Sequence, residues 1–179
     1  MNEWPRIVGL AGKMRSGKDT AAAVLTEMHG YERVAFGDTI KRVALDVNPL
    51  VPGGRLSDIV DAQGWELAKE LVEVRRVLQA VGLALRNQWP SFWVEVLARQ
   101  FNADSRYVIT DVRFPGEVAM IQDAGGIVLR IERPLRDGVT NAADISETAL
   151  DRFDLPTIVN DDTISTLHER LLATLDQPS

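Results

Sequence analysis

Cysteine is absent from the 179 residues, and only two histidines occur, His29 and His168. The lack of cysteine excludes disulfide scaffolds, cysteine-ligated zinc, iron–sulfur clusters and cysteine nucleophiles. Two histidines leave little room for a histidine-rich metal site or a histidine-based triad. No run approaches the ~20 apolar residues that span a bilayer, and Ile7–Leu10 is too short for a signal-peptide core. These absences predict a protein of the reducing cytoplasm with no membrane partner.

Positive charge is also in the minority. The chain has 20 Lys and Arg against 26 Asp and Glu, which gives a net charge of −6. An acidic chain binds long polyanions poorly unless its basic residues gather in one place, so we expect no nucleic-acid partner. With 45% hydrophobic and 26% charged residues, the composition is that of a folded domain rather than a disordered chain. The length predicts a single domain over residues 1–179.

Short apolar runs alternate with helical segments along the chain. The predicted strands cover 6–10, 34–36, 107–110, 127–131 and 157–159. The predicted helices cover about 18–29, 38–47, 57–100, 115–124, 146–152 and 164–175, and the long region 57–100 is punctuated by Gly64 and Pro90. Strands separated by helices indicate an α/β domain built on a parallel sheet.

The most informative segment is GKMRSGKDT, residues 12–20, which fits the phosphate-loop pattern G-x-x-x-x-G-K. Glycines allow backbone N–H groups to converge on phosphate oxygens, the following helix adds positive potential, and Lys18 would reach the β- and γ-phosphates. Asp19 or Thr20 would help to hold Mg²⁺, directly or through water. The alternative is a glycine-rich turn that only caps a helix. The residues expected at ATP here are Gly12, Lys13, Arg15, Ser16, Gly17, Lys18, Asp19 and Thr20.

A second motif, D-V-R-F-P, begins at Asp111 at the end of a predicted strand. Ligands bind beyond the carboxyl ends of parallel strands, so Asp111 is placed to orient Mg²⁺-bound water and Arg113 to bind a phosphate. The alternative is a surface ion pair at a strand end. The chain has no N-K-x-D guanine motif and no D-E after this strand, which disfavours signalling GTPases, motors and helicases.

The helix around residues 75–86 carries a polar flank beside its apolar stripe. At 100° per residue, Arg75, Gln79, Gly82 and Arg86 fall together on that flank. Two guanidinium groups and a carboxamide around a glycine would suit a nucleoside monophosphate. The alternative is an ordinary solvated edge of an amphipathic helix.

With these motifs in place, the chain resembles the deoxynucleoside monophosphate kinases of bacteriophages, within the wider P-loop kinase group. The matching segments occur in the family's order and span nearly the whole chain. They are GLAGKMRSGKDT (Gly9–Thr20), FGDTIK (Phe36–Lys41), RRVLQAVG (Arg75–Gly82) with Arg86 and Trp93, VITDVRFPGE (Val108–Glu117), IERP (Ile131–Pro134), SE (Ser146–Glu147) and IVND (Ile158–Asp161).

The resemblance implies a P-loop kinase fold with a five-stranded parallel sheet in the order 2-3-1-4-5. It implies an acceptor-binding helical region at about 38–102 and a lid at about 133–147. ATP, with Mg²⁺ at Asp19, Thr20 and Asp111, would phosphorylate a deoxynucleoside monophosphate. The residues implied at the acceptor are Asp38, Lys41, Arg75, Gln79, Arg86, Trp93, Arg113 and Glu147. Those implied in catalysis are Lys18, Asp111, Arg113 and Arg133, with Arg133, joined by Arg136, closing from the lid and Asn160 at ATP.

Two other functions stay open from the residues alone. One is a kinase of another phosphorylated metabolite, of the dephospho-coenzyme A or phosphomevalonate kind. The other is a nucleotide-dependent switch or a nucleic-acid-coupled ATPase. The expected partners are small-molecule nucleotides, in the host cytoplasm if a phage encodes the chain. The sequence does not decide between a monomer and a homodimer.

Overall fold

The structure is a computed structural model, and it describes residues 4–134 and 148–177. The chain divides into two compact units. One, the sheet unit, contains residues 1–35 and 100–179; the other, the helical unit, contains residues 36–99. The helical region that the sequence placed inside one domain is therefore a compact unit with its own core.

The elements follow the predicted alternation of strands and helices. In chain order they are β1 (Ile7–Ala11), α1 (Lys18–His29), β2 (Tyr31–Val34), α2 (Phe36–Val47), β3 (Leu50–Val51), β4 (Gly54–Arg55), α3 (Leu56–Ala68), α4 (Val72–Gln88), α5 (Phe92–Ala98), β5 (Arg106–Val112), α6 (Pro115–Asp123), β6 (Ile127–Glu132), β7 (Thr157–Val159) and α7 (Ile164–Leu175). No helix in the described ranges is both long and apolar enough to cross a membrane.

The sheet unit is built on five parallel strands in the order β2-β5-β1-β6-β7. Counted among these five alone, the order is 2-3-1-4-5, as the resemblance implied. The middle strand β1 is buried at every residue, because both faces of a parallel sheet are covered. Its register, with Val8 opposite Val108 and Ile127, sets the carboxyl ends of β5, β1 and β6 side by side.

The core of the sheet unit joins β1 to the helices on the sheet. Leu10, Leu25 and Leu171 are completely buried, and burial of each such side chain contributes roughly 1.5–3 kcal/mol. Helix α1 ends where predicted, at Gly30, whose φ of 68° is readily adopted only by a residue without a Cβ. Of the helix predicted at 146–152, residues 146–147 lie outside the described residues, Thr148 is helical, and residues 149–152 form turns, so its described end comes earlier than predicted.

Over residues 57–100 the sequence predicted one helical region punctuated by Gly64 and Pro90, and the structure has three helices there, α3, α4 and α5. Gly64, with φ 76° and ψ 165°, interrupts the helical backbone of α3. The core cluster of the helical unit consists of Ala44, Leu56, Ile59, Ala68 and Val74.

The strand predicted at 34–36 is wrong at its second end. Only Val34 belongs to β2, and Phe36 is the first residue of α2.

Candidate active site

The loop between β1 and α1, residues 12–17, has a shape that only glycine at two positions permits; we call it the glycine loop. Gly12 has φ 136° and Gly17 has φ 103°. A Cβ at Gly12 would lie 2.3 Å from the carbonyl oxygen of Ile131, and a Cβ at Gly17 would lie 2.3 Å from Asn160 Nδ2. Both distances are far inside van der Waals contact, so each glycine of the motif is required sterically.

Lys18 curls back over the glycine loop. Its Nζ donates to the carbonyl oxygen of Gly12 at 2.7 Å and to that of Lys13 at 2.8 Å. The backbone N–H of Ser16 donates to the Lys13 carbonyl at 3.1 Å and closes the turn. The ammonium group is therefore held at the loop by two backbone carbonyl oxygens.

The hydroxyl of Ser16 is buried, with 4% of the residue exposed, and has no hydrogen-bond partner among the described residues. A buried polar atom without a partner costs roughly 1–3 kcal/mol. The glycine loop therefore has two features that packing does not explain, the positive φ of its two glycines and a buried hydroxyl without a hydrogen-bond partner.

A cavity of about 230 Å³ opens at the glycine loop and the first turn of α1. Its walls carry three cationic side chains and one carboxylate, and the amino end of a 12-residue helix adds positive potential. The lining residues are Arg15, Gly17, Lys18, Asp19, Thr20 and Arg133. Six predicted residues are thus brought together, and the cavity is suited to an anion.

The residues fit a polyphosphate with Mg²⁺. Asp19 and Thr20 offer oxygen ligands on the cavity wall. Within residues 4–134 and 148–177, no cluster of three or more His, Cys, Asp or Glu residues could hold a metal ion. Mg²⁺ usually takes only one or two protein carboxylates and completes its shell with water and substrate phosphates, so this sparse set is compatible with it. Asp111 is not among the lining residues of the cavity.

Asp111 lies in β5, one residue before the strand ends at Val112. Val112 pairs with Ala11, the last residue of β1, so Asp111 lies beside the start of the glycine loop. Arg113 follows in the turn to α6, where its backbone N–H donates to Glu117 Oε2 at 2.7 Å. The motif is therefore in the sheet unit, at the same edge of the sheet as the loop.

Glu117 is a residue that the motif analysis did not single out. Its carboxylate is 1% exposed and also accepts the backbone N–H of Phe114 at 3.1 Å. It caps α6, which starts at Pro115, and so fixes the turn that carries Arg113. The available signal was a glutamate at the third residue of a helix whose first residue is proline.

Asn160, which the resemblance placed at ATP, lies against the glycine loop. It is 9% exposed, and its Nδ2 donates to the Ser16 carbonyl at 2.8 Å. Its backbone N–H donates to the Glu132 carbonyl at 2.6 Å. Its side chain therefore contacts the loop backbone, and a contact with ATP itself stays a prediction.

In the helical unit, one cationic side chain lies over an aromatic ring. Lys41 Nζ lies 2.9 Å from Asp38 Oδ1 and 5.9 Å from the ring centroid of the half-buried Trp65. Glu66 pairs with Lys69 at 2.7 Å, and this hydrogen bond is the main reason that the pKa of Glu66 lies below its usual value. Two of the predicted acceptor residues, Asp38 and Lys41, therefore form an ion pair, and Lys41 lies beside Trp65.

Three further predicted residues lie on α4. Arg75 is exposed, and its Nε donates to the Lys69 carbonyl oxygen. Gln79 is exposed and Arg86 half-buried. The predicted Glu147, Arg136 and most of the lid lie outside the described residues.

The burial of Trp93 contradicts the contact with the acceptor that the resemblance implied. It is 1% exposed, and its Nε1 donates to the Gly82 carbonyl at 2.9 Å, so no face of the indole is available for stacking on a base. Gly82 is buried as well, and a Cβ there would lie 3.3 Å from Ile40. Both residues therefore serve the packing of α4 against α2 and α5 rather than ligand contact.

No family model matches the sequence. The chain is similar to a protein of Acanthamoeba polyphaga mimivirus described as "Putative deoxynucleotide monophosphate kinase", with 26% identity over 196 residues and 97% of each chain covered. It is 30% identical over 155 residues to "Uncharacterized protein ORF76" of Ictalurid herpesvirus 1, covering 82% of this chain and 57% of that protein. Among solved structures, TT1252 from Thermus thermophilus matches with a TM-score of 0.50 at 23% identity over 97% of both chains, which indicates a shared fold.

Proposed function

We propose that the chain is a P-loop kinase that transfers the γ-phosphoryl group of ATP to a deoxynucleoside monophosphate. The cavity at the glycine loop carries this proposal, since it combines Lys18, Arg133 and the amino end of α1 around a space suited to phosphates. The description of the mimivirus protein, which aligns with 97% of this chain, supports the acceptor class.

Donor binding belongs to the sheet unit. Lys18 exchanges the carbonyls of Gly12 and Lys13 for the β- and γ-phosphate oxygens, while Arg15 and the amino end of α1 neutralise the remaining charge. Asp19 and Thr20 would hold Mg²⁺, with Asp111 placed to orient its water, and bound MgATP would supply the phosphoryl group. Arg133, which follows β6, would stabilise negative charge on that group during transfer.

Most of the residues assigned to the acceptor belong to the helical unit. Lys41, Arg75 and Arg86 bind the monophosphate, Gln79 is assigned to the base, and Asp38 holds Lys41 in position. The half-buried Trp65, over which Lys41 lies, is the ring suited to stack on the base, in place of the buried Trp93. Base–aromatic stacking tolerates every base, so this arrangement favours broad base acceptance.

The reaction needs no general base. A monophosphate has a second pKa of ~6 and is already an ionised nucleophile near pH 7. Transfer then depends on in-line positioning and on charge neutralisation, which is the task of Lys18, Arg113 and Arg133. We assign Arg113 to the acceptor phosphate. Glu117 holds the turn that carries Arg113 through the Arg113 backbone N–H.

A coupled assay with MgATP and a panel of acceptors tests the proposal. The panel contains dAMP, dGMP, dCMP, dTMP, their ribose counterparts, dephospho-coenzyme A and phosphomevalonate. We expect turnover with at least one deoxynucleoside monophosphate, and its loss on removal of Mg²⁺. Turnover only with one of the last two compounds would assign the chain to another metabolite. No turnover with any acceptor, together with DNA-stimulated ATP hydrolysis, would overturn the kinase assignment.

A further inference from the structure

We infer that Asn160 is a positioning residue that sets the shape of the glycine loop, so that it governs binding of the phosphate chain of any nucleotide regardless of its base. This inference rests on the proposed function, because it assumes that the glycine loop binds the donor's phosphates.

The topology of the sheet brings Asn160 to the loop. Asn160 follows the last residue of β7, which pairs with β6, and β6 pairs with β1. The carboxyl ends of these three parallel strands therefore lie at one edge, although Ser16 and Asn160 are 144 residues apart in the chain.

The contact between Asn160 and the loop is both polar and steric. Its Nδ2 donates to the Ser16 carbonyl in a buried hydrogen bond of 2.8 Å. The same Nδ2 occupies the space that a Cβ at Gly17 would need, 2.3 Å away. The amide thus holds the peptide between Ser16 and Gly17 in one orientation, immediately before the first residue of α1.

The residues on both sides of Asn160 are held as well. Its own N–H donates to the Glu132 carbonyl at 2.6 Å. Arg170 donates to Asp161 Oδ1 at 2.7 Å and to the carbonyl oxygen of Val159. The segment that carries the amide is therefore held in place by β6 and α7.

Asn160 could affect ATP binding in two ways, by contacting the adenine or by shaping the loop, and the affinity for ATP alone does not distinguish them. A residue that reads adenine would affect ATP and leave GTP and inorganic tripolyphosphate unchanged. A residue that shapes the loop would affect all three by the same factor, because all three place phosphates on the same backbone N–H groups.

The test measures the dissociation constants of ATP, GTP and tripolyphosphate at fixed Mg²⁺ by calorimetry for the wild type and Asn160→Ala. Removing the amide leaves the Ser16 carbonyl buried without its partner, so we expect all three ligands to bind about tenfold more weakly. Asn102→Ala is the matched control. Asn102 also organises a turn, accepting from the N–H groups of Asp104 and Ser105, but at the amino edge of the sheet. Its affinities should equal those of the wild type.

Asn160→Asp provides an independent reading. The new carboxyl can donate to the Ser16 carbonyl only when protonated, and burial raises the pKa of a carboxyl group. Relative to the wild type at each pH, its affinity for tripolyphosphate should improve as the pH falls from 8 to 6, whereas that of Asn160→Ala should not. The charged groups nearby, Glu132, Asp161 and Arg170, are shared by all variants, so the ratio to the wild type removes their titration.

Each outcome decides the matter. Equal losses for the three ligands, with pH-dependent recovery in Asn160→Asp, support the inference. A loss confined to ATP would identify Asn160 as a base-contacting residue, and unchanged affinities would show that the loop does not depend on it; either result overturns the inference. Failure of the wild type to bind any of the three would instead overturn the proposed function and, with it, this inference.

Discussion

Replacing Gly12 with alanine probes the geometry on which the candidate site depends. The new Cβ would lie 2.3 Å from the Ile131 carbonyl oxygen, whereas real Cβ atoms do not come closer than about 3.0 Å. The end of β6 must therefore move by about 0.7 Å. Because Ala11 pairs with Arg130 in the same ladder, that movement disturbs the junction of β1 and β6 from which the glycine loop starts.

Gly30→Ala is the control for a glycine that has a positive φ but no close neighbour. Gly30 has φ 68°, and nothing lies within 4 Å of the Cβ that alanine would add. Its replacement should lower the free energy of unfolding by about 1–2 kcal/mol, the usual cost of the left-handed region for a residue with a Cβ. Gly12→Ala adds the displacement of a backbone carbonyl, so we expect a loss of roughly 3–5 kcal/mol.

The assay combines urea unfolding, followed by tryptophan fluorescence, with titration of a non-hydrolysable ATP analogue. Gly30→Ala should bind the analogue within about twofold of the wild type, because Gly30 lies at the opposite end of α1 from the glycine loop. A twofold change in affinity corresponds to about 0.4 kcal/mol. Gly12→Ala should lose both stability and nucleotide binding. If Gly12→Ala matched Gly30→Ala in both measurements, the reasoning from the steric contact with Ile131 would be refuted.

Three further predictions concern single side chains. Lys18→Ala should lower kcat by about 10²–10³-fold, the usual cost of removing one preorganised electrostatic donor, and a rate within threefold of the wild type would contradict its role. Trp65→Leu should raise KM for the monophosphate by about tenfold with KM for ATP unchanged, whereas Trp93→Phe should reduce thermal stability and leave KM for the monophosphate unaltered. Burial raises the pKa of Tyr31, with Arg106 opposing the shift, so the folded state favours the neutral phenol. The free energy of unfolding should therefore decrease as the pH rises above about 10, the range in which the unfolded phenol ionises. The decrease should be smaller in Tyr31→Phe, and an equally steep decrease in that variant would exclude Tyr31 as its source.

Much of the fold was accessible from the sequence because the strands of a parallel sheet are short, continuous apolar runs. Thr157–Val159 and Lys18–His29 were predicted with the bounds that the structure shows. The carboxyl-end position of Asp111 followed from the same pattern. The interruptions predicted at Gly64 and Pro90 match the break inside α3 and the gap between α4 and α5. The gap between α3 and α4 was missed, because residues 69–71 contain neither glycine nor proline.

The candidate site was predictable where residues are close in the sequence. The motif of residues 12–20 assigned Lys18, Asp19 and Thr20 to one place, and the cavity brings them together. Contacts between distant residues had no such signal. The amide of Asn160 contacts Ser16 because β7 pairs with β6 and β6 pairs with β1. Nothing in the sequence indicated that Trp93 is buried while Trp65 is only half-buried, since burial depends on tertiary packing. Helical periodicity likewise grouped Gly82 with exposed residues, although it faces Ile40.

The central claim is tested most directly by following the γ-phosphate of labelled ATP in the presence of Mg²⁺ and a deoxynucleoside monophosphate. Products are separated by chromatography, and the wild type is compared with Lys18→Ala. We predict that the label is recovered in the deoxynucleoside diphosphate with the wild type, and that Lys18→Ala produces far less of it. Recovery of the label only as inorganic phosphate, or equal transfer by Lys18→Ala, would contradict the account.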